Sequence, residues 1–95
     1  MADQYEESLK RIQRILDDPT RLINAPLTRR QREVYRRCLF SDNHHQAALK
    51  LGISYQTLKN HITEARKKGA VTPTELRDLV VMKIEEIVNG ALEPS

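Results

Sequence analysis

The chain has no tryptophan, one cysteine and only 4% aromatic residues: Phe40, Tyr5, Tyr35 and Tyr55. A core without aromatic bulk has to be assembled from aliphatic side chains. The lone Cys38 excludes an internal disulfide and suits a reducing compartment. No run approaches the roughly 20 apolar residues that span a bilayer. The opening Met1-Ala2-Asp3-Gln4-Tyr5-Glu6-Glu7 is acidic where a secretory leader would be basic. The expected setting is therefore cytoplasmic, with no membrane partner. There is no glycine-rich phosphate loop, no Ser/His/Asp set in a recognisable context and no carboxylate pair at an apolar site, so no enzyme is expected. His44, His45, His61 and Cys38 lack metal-site spacing: adjacent helical residues point about 100° apart, and neither Cys-x-x-Cys nor His-x-x-x-His occurs. No metal and no cofactor is expected.

What is present is charge, unevenly distributed. Residues 1–27 hold Lys10, Arg11, Arg14 and Arg21 against Asp3, Glu6, Glu7, Asp17 and Asp18, a net of −1. Residues 28–70 hold Arg29, Arg30, Arg32, Arg36, Arg37, Lys50, Lys59, Arg66, Lys67 and Lys68 against Glu33, Asp42 and Glu64, a net of +7. Residues 71–95 hold Arg77 and Lys83 against Glu75, Asp78, Glu85, Glu86 and Glu93, a net of −3. A concentrated basic block of this kind suits a polyanion.

The apolar spacing is helical throughout, nothing reads as a strand, and 95 residues suffice for one modest domain. Tyr5, Leu9, Ile12 and Leu16, widened by Ile15, form the stripe of an amphipathic helix over 3–17, stopped by Asp17-Asp18-Pro19. Residues 18–27 read as an irregular connector. Thr28 with Gln31 is a capping-box pattern, Leu27 is a candidate staple, and Val34, Tyr35, Cys38 and Leu39 make the buried face of a helix reaching about Phe40. Asn43 with Gln46 caps a short helix over 44–51. Gly52 can supply the positive φ that stops it. Ser54 then caps a helix from Tyr55 to about Lys68, with Leu58, Ile62 and Ala65 inward and Gly69 at its end. Thr72-Pro73-Thr74-Glu75 opens a last helix to about Asn89-Gly90, leaving 91–95 as a frayed tail. The expected fold is all-α: an N-terminal amphipathic helix and connector over 1–26, followed by a four-helix domain over 27–90.

The stretch Ala47-Ala48-Leu49-Lys50-Leu51-Gly52-Ile53-Ser54-Tyr55-Gln56-Thr57-Leu58-Lys59-Asn60-His61 has the pattern of a DNA-reading helix-turn-helix. Small Ala48 permits close approach of the two helices, and Ile53 and Leu58 can fold back on Ala47 and Leu51. With Leu58, Ile62 and Ala65 inward, Tyr55, Gln56, Lys59, Asn60 and Thr63 face out. Lys59 can donate to guanine O6 and N7, and Asn60 can pair with an adenine edge. Arg66, Lys67 and Lys68 can reach phosphates or complement the helix dipole. Arg29, Arg30 and Arg32 are further candidates for phosphate.

From Leu27 to about Leu79 the chain resembles the LuxR-type DNA-binding domain. The resemblance rests on Leu27-Thr28-Arg29-Arg30-Gln31-Arg32-Glu33-Val34, on Leu51-Gly52-Ile53-Ser54 followed by Thr57-Leu58-Lys59-Asn60-His61, and on Arg66-Lys67-Lys68-Gly69-Ala70-Val71 leading to Thr74-Glu75-Leu76. Gln31, Tyr35, Ser41 and Ala47 depart from the family pattern at packing and capping positions. The resemblance implies base contacts by Lys59, Asn60 and Thr63, and phosphate contact by Thr57. The family often carries an input domain ahead of this module, for which the residues before Leu27 are too few. A second resemblance, to the −35-reading module of sigma factors, rests on the Leu-Thr-Arg opening and Ala65-Arg66-Lys67-Lys68.

Apolar residues cover more than one face of the last helix. Leu76, Val80, Lys83 and Ile87, with Ile84 beside them, form a coiled-coil-like seam. The family often pairs through this helix, which implies a homodimer joined there, with Leu79 and Val88 on the intrachain face. The expected function is a sequence-specific transcriptional regulator that binds double-stranded DNA as a homodimer and has the transcription machinery as a further partner. The alternative is a DNA-binding assembly or adaptor protein, such as a phage DNA-packaging recognition subunit.

Overall fold

The computed structural model describes residues 2–92, with the side chains of 4–92, and it is all-helical, with no strand among them. Helix α1 spans Ala2–Asp17, α2 Arg29–Leu39, α3 His44–Leu51, α4 Tyr55–Lys67 and α5 Pro73–Leu92. The connector after α1 is more ordered than its two prolines suggest. Pro19–Leu22 forms a 3-10 turn with Pro19 and Thr20 buried, and Arg32 reaches back to donate to the Thr20 carbonyl (3.3 Å) and hydroxyl (3.2 Å).

Local signals set the helix boundaries. The Gln31 amide N–H donates to Thr28 Oγ1 at 3.1 Å, and the Thr28 N–H donates to Gln31 Oε1 at 2.9 Å, completing the capping box. Asn43 accepts from the Gln46 N–H at 2.9 Å, Ser54 from the Thr57 N–H at 3.0 Å, and Thr72 from the Glu75 N–H at 3.1 Å. Each cap satisfies an amide that the first helical turn leaves open. At the end of α3, Gly52 sits in the left-handed region with φ of 69°. That conformation lets the Ile53 N–H donate back to the Ala48 carbonyl at 3.1 Å, which closes the helix and turns the chain toward α4. Helix α5 continues through Gly90 to Leu92, two residues further than its sequence suggests, and 93–95 lie outside the described residues.

Two apolar clusters share Ile62. The smaller holds Val34, Cys38, Ala47, Ala48 and Leu58, with Leu51 and Ile53 against it, and locks α3 and α4 onto α2. The larger gathers Ile23, Leu27, Tyr35, Leu39, Ala65, Ala70, Leu76 and Val80 and joins that unit to α5 and the connector. Tyr35 is fully buried, and its hydroxyl donates to the Val71 carbonyl at 2.7 Å, linking α2 to the segment between α4 and α5. Arg77 on α5 donates to the carbonyls of Leu39 and Ser41 at 3.1 and 3.3 Å, covering the end of α2.

Helix α1 packs along the far half of α5, with Ser8, Ile12 and Ile15 half-buried. This differs from the expected stripe, because Tyr5, Leu9 and Leu16 remain exposed. The α1–α5 pair projects from the rest. The extents are 49 × 25 × 19 Å and the radius of gyration is 15.4 Å, against about 12 Å for a compact chain of this length.

Candidate nucleic-acid interface

Helix α4 is pinned on one side and open on the other. Leu58 and Ala65 are fully buried and Ile62 is half-buried, so three turns are held at fixed phase. Away from that side the helix and its end expose Tyr55, Gln56, Thr57, Lys59, Asn60, Thr63, Arg66, Lys67 and Lys68. All nine residues expected to meet DNA therefore lie on the solvent side of one helix or at its end.

The polar strip has internal order. Gln56 Nε2 donates to Asn60 Oδ1 at 3.1 Å, which holds both amides along the helix surface. The Tyr55 ring stacks on His45 of α3, with centroids 4.1 Å apart and an interplanar angle of 15°. Lys59 Nζ lies 5.5 Å from the same ring centroid, within cation–π range. His45 is a contributor that sequence reasoning missed. Its contact crosses from one helix to the next and leaves no trace in the periodicity of either. A groove of about 350 Å³ runs beside this strip toward the start of α5, lined by His44, Tyr55, Lys59, Thr63, Arg66 and Thr74 among others.

Several cations have local partners. Lys67 pairs with Glu64 at 3.1 Å, on an exposed face where such a pair contributes little stability. Lys68 Nζ donates to Gln31 Oε1 at 2.9 Å and so supports the capping box of α2. Thr57 belongs to the N-terminal cap of α4, where its hydroxyl accepts from Ser54 Oγ at 2.8 Å. Among the arginines before α3, Arg30 pairs with Glu33 at 2.8 Å, holding that carboxyl below its ordinary range through the hydrogen bond. Arg32 is turned onto Thr20, so it belongs to the fold and is withdrawn from the candidate phosphate contacts. Arg29 and Arg37 stay exposed.

The seam expected to join two copies is covered within the chain. Leu76, Val80 and Ile87 are 0, 7 and 4% exposed, and Ile84 is half-buried against the larger cluster; only Lys83 faces solvent. The connector and α1 occupy that side of α5. The two apolar faces are thus exchanged relative to expectation: Val88, expected inside, is exposed, whereas Leu79 is half-buried. The physical reason is that α5 offers two comparable apolar faces, and the connector's Ile23 and Leu27 pack on the one bearing Leu76 and Val80.

No group of three or more metal-ligating side chains occurs among the described residues. Cys38 is 4% exposed, and burial pushes its thiol up to about 11, so it stays protonated in the folded chain. No helix among the described residues is long and apolar enough to cross a membrane. Comparison with protein-family models, with curated proteins and with solved structures finds no match to this chain.

Proposed function

We propose that the chain is a sequence-specific double-stranded DNA-binding domain of the helix-turn-helix type, acting in transcriptional regulation. The observation that supports this reading is the exposed strip on α4. Gln56, Lys59, Asn60 and Thr63 stand outward on a helix whose other side is locked by Leu58 and Ala65. The left-handed Gly52 turn and the close Ala47–Ala48 surface are what a helix-turn-helix needs to present its second helix to the major groove. The resemblance of residues 27–79 to LuxR-type domains favours the same role. In this reading Lys59 and Asn60 contact base edges. Arg66, Lys67 and Lys68 approach phosphates, with Lys67 and Lys68 exchanging their bonds to Glu64 and Gln31 for bonds to phosphate oxygens. Any pairing of two copies on one site would use surfaces other than Leu76, Val80 and Ile87.

Selection of binding sites from a random duplex pool, followed by anisotropy titration of the enriched duplex, tests the proposal. Lys59→Ala and Asn60→Ala should each cost about 1–3 kcal/mol on the enriched site and much less on random DNA. A pool that never enriches, or equal losses on both duplexes, would overturn sequence reading by α4.

A further inference from the structure

The protruding α1–α5 pair leaves one side bare. Tyr5, Leu9 and Leu16 on α1 and Val81, Val88 and Leu92 on α5 are exposed, with Tyr5 and Leu92 at 60 and 67%. Helical phase puts these residues on the same side of both helices. Between them lies a cavity of about 120 Å³ lined by Tyr5, Leu9, Ile12, Val88 and Leu92 among others, enough to seat one large aliphatic side chain. Single exposed apolar residues are ordinary, but a contiguous strip on two adjacent helices with a pocket in it is the form of a docking groove.

The rim identifies the occupant. Going outward from the apolar strip, the next side chains by helical phase are Glu6, Gln13 and Asp17 on α1 and Asp78, Glu85 and Asn89 on α5. The four carboxylates are exposed, and none takes part in the four ion pairs formed between described residues. Lys10 lies further round α1, and Arg77 is turned onto the carbonyls at the end of α2. The face is therefore apolar along its centre and acidic along both edges. A second copy in two-fold register would set one acidic rim against another, an unfavourable pairing of like charges.

We propose that the α1–α5 face is a docking groove for an amphipathic helix of another protein, with aliphatic anchors on one side and lysine or arginine on its flanks. The face is about 24 Å long, the length of the sixteen-residue α1. A partner helix of four to five turns would lie between α1 and α5 with one leucine-sized anchor in the pocket beside Leu9 and Val88. Its cationic flanks would meet Glu6 and Asp17 on one side and Asp78 and Glu85 on the other.

The probe is a designed peptide of about 18 residues with leucine at i, i+3, i+4 and i+7 and lysine elsewhere. It would be titrated into the full chain at physiological ionic strength by anisotropy and by methyl NMR. The comparison peptides are a scrambled version and a version with glutamate in place of lysine. One-to-one binding is expected, with shifts at Leu9, Ile12, Val88 and Leu92, and both comparison peptides about tenfold or more weaker. Glu6→Lys combined with Glu85→Lys should weaken binding about tenfold, whereas Glu64→Lys on α4 should leave it unchanged. Leu9→Ala and Val88→Ala should each weaken it without loss of helix content, since both residues are exposed. Equal binding of the scrambled peptide, shifts on another surface, or no saturable binding would overturn the proposal. So would sedimentation of the parent as a dimer that Leu9→Glu converts to a monomer, because a second copy would then hold the face.

Discussion

Val80 and Val81 are neighbours on α5 with opposite environments, 7 and 48% exposed. The same substitution at each separates a face buried within the chain from an open one. Val80→Glu would place a carboxylate among Leu39, Tyr35 and Leu76 in the larger cluster. Losing the buried valine forfeits roughly 1.5 kcal/mol. At neutral pH the carboxyl must either ionise without a partner or keep its proton. A rise of roughly two to three pKa units costs about 3–4 kcal/mol. The sum is about 4–6 kcal/mol, against a total stability of about 5–14 kcal/mol for a domain of this size. Urea unfolding followed by circular dichroism should therefore show the stability of the Val80→Glu chain lowered by about 4–6 kcal/mol, with its midpoint far below the parent's. Val81→Glu should stay within about 0.5 kcal/mol of the parent. Because the protonated carboxyl is the form the core tolerates, its folded pKa is raised and the penalty grows as pH climbs. Lowering the pH from 7 toward 5 should recover part of the stability of Val80→Glu, an increment of about 1.4 kcal/mol per unit at most. A Val80→Glu chain that keeps the parent's midpoint but changes from dimer to monomer would refute this packing and put Val80 at a subunit boundary.

Gly52→Ala should cost about 1–2 kcal/mol in urea unfolding, since the backbone sits at φ 69° while a Cβ there would meet nothing within 4 Å; an unchanged midpoint would refute the left-handed turn. Lys67→Ala with Lys68→Ala should weaken binding to every duplex and lower the slope of log affinity against log salt by about 1–2 units; an unchanged slope would confine both residues to their contacts with Glu64 and Gln31. Burial raises Cys38 to about 11 and Tyr35 to about 12, so the neutral forms fit the fold and the unfolded chain loses those protons first, from ordinary values of 9.0 and 10.0. Their contribution should be intact below about pH 9 and should disappear as pH climbs through 11 to 12, with Tyr35→Phe removing the upper part of the decline; urea midpoints that stay flat to pH 11 would refute it. In the native chain Cys38 should also react with a thiol reagent far more slowly than in urea, and equal rates would place it outside the core.

Nearly every helix boundary was legible in the residues, because caps and stops are chemistry of a few neighbours. Thr28 with Gln31, Asn43 with Gln46, Ser54, Thr72-Pro73 and Gly52 act within one turn of themselves, and the structure realises each. The inward phase of α4 was equally legible. Leu58, Ile62 and Ala65 repeat at helical spacing, and what remains outward is the polar strip proposed to meet DNA. Tertiary structure alone decided how the helices share their apolar surface. The periodicity of α5 shows two apolar faces without ranking them. The choice fell to Ile23 and Leu27 from a connector with no periodicity of its own. The same choice rolled α1 onto Ser8, Ile12 and Ile15 and left Tyr5, Leu9 and Leu16 bare. The His45–Tyr55 stack and the Arg32–Thr20 contact have the same origin, since each joins side chains that only folding brings together. Local free energies determine where helices begin and end, whereas the pairing of their faces depends on every other surface competing for the same burial.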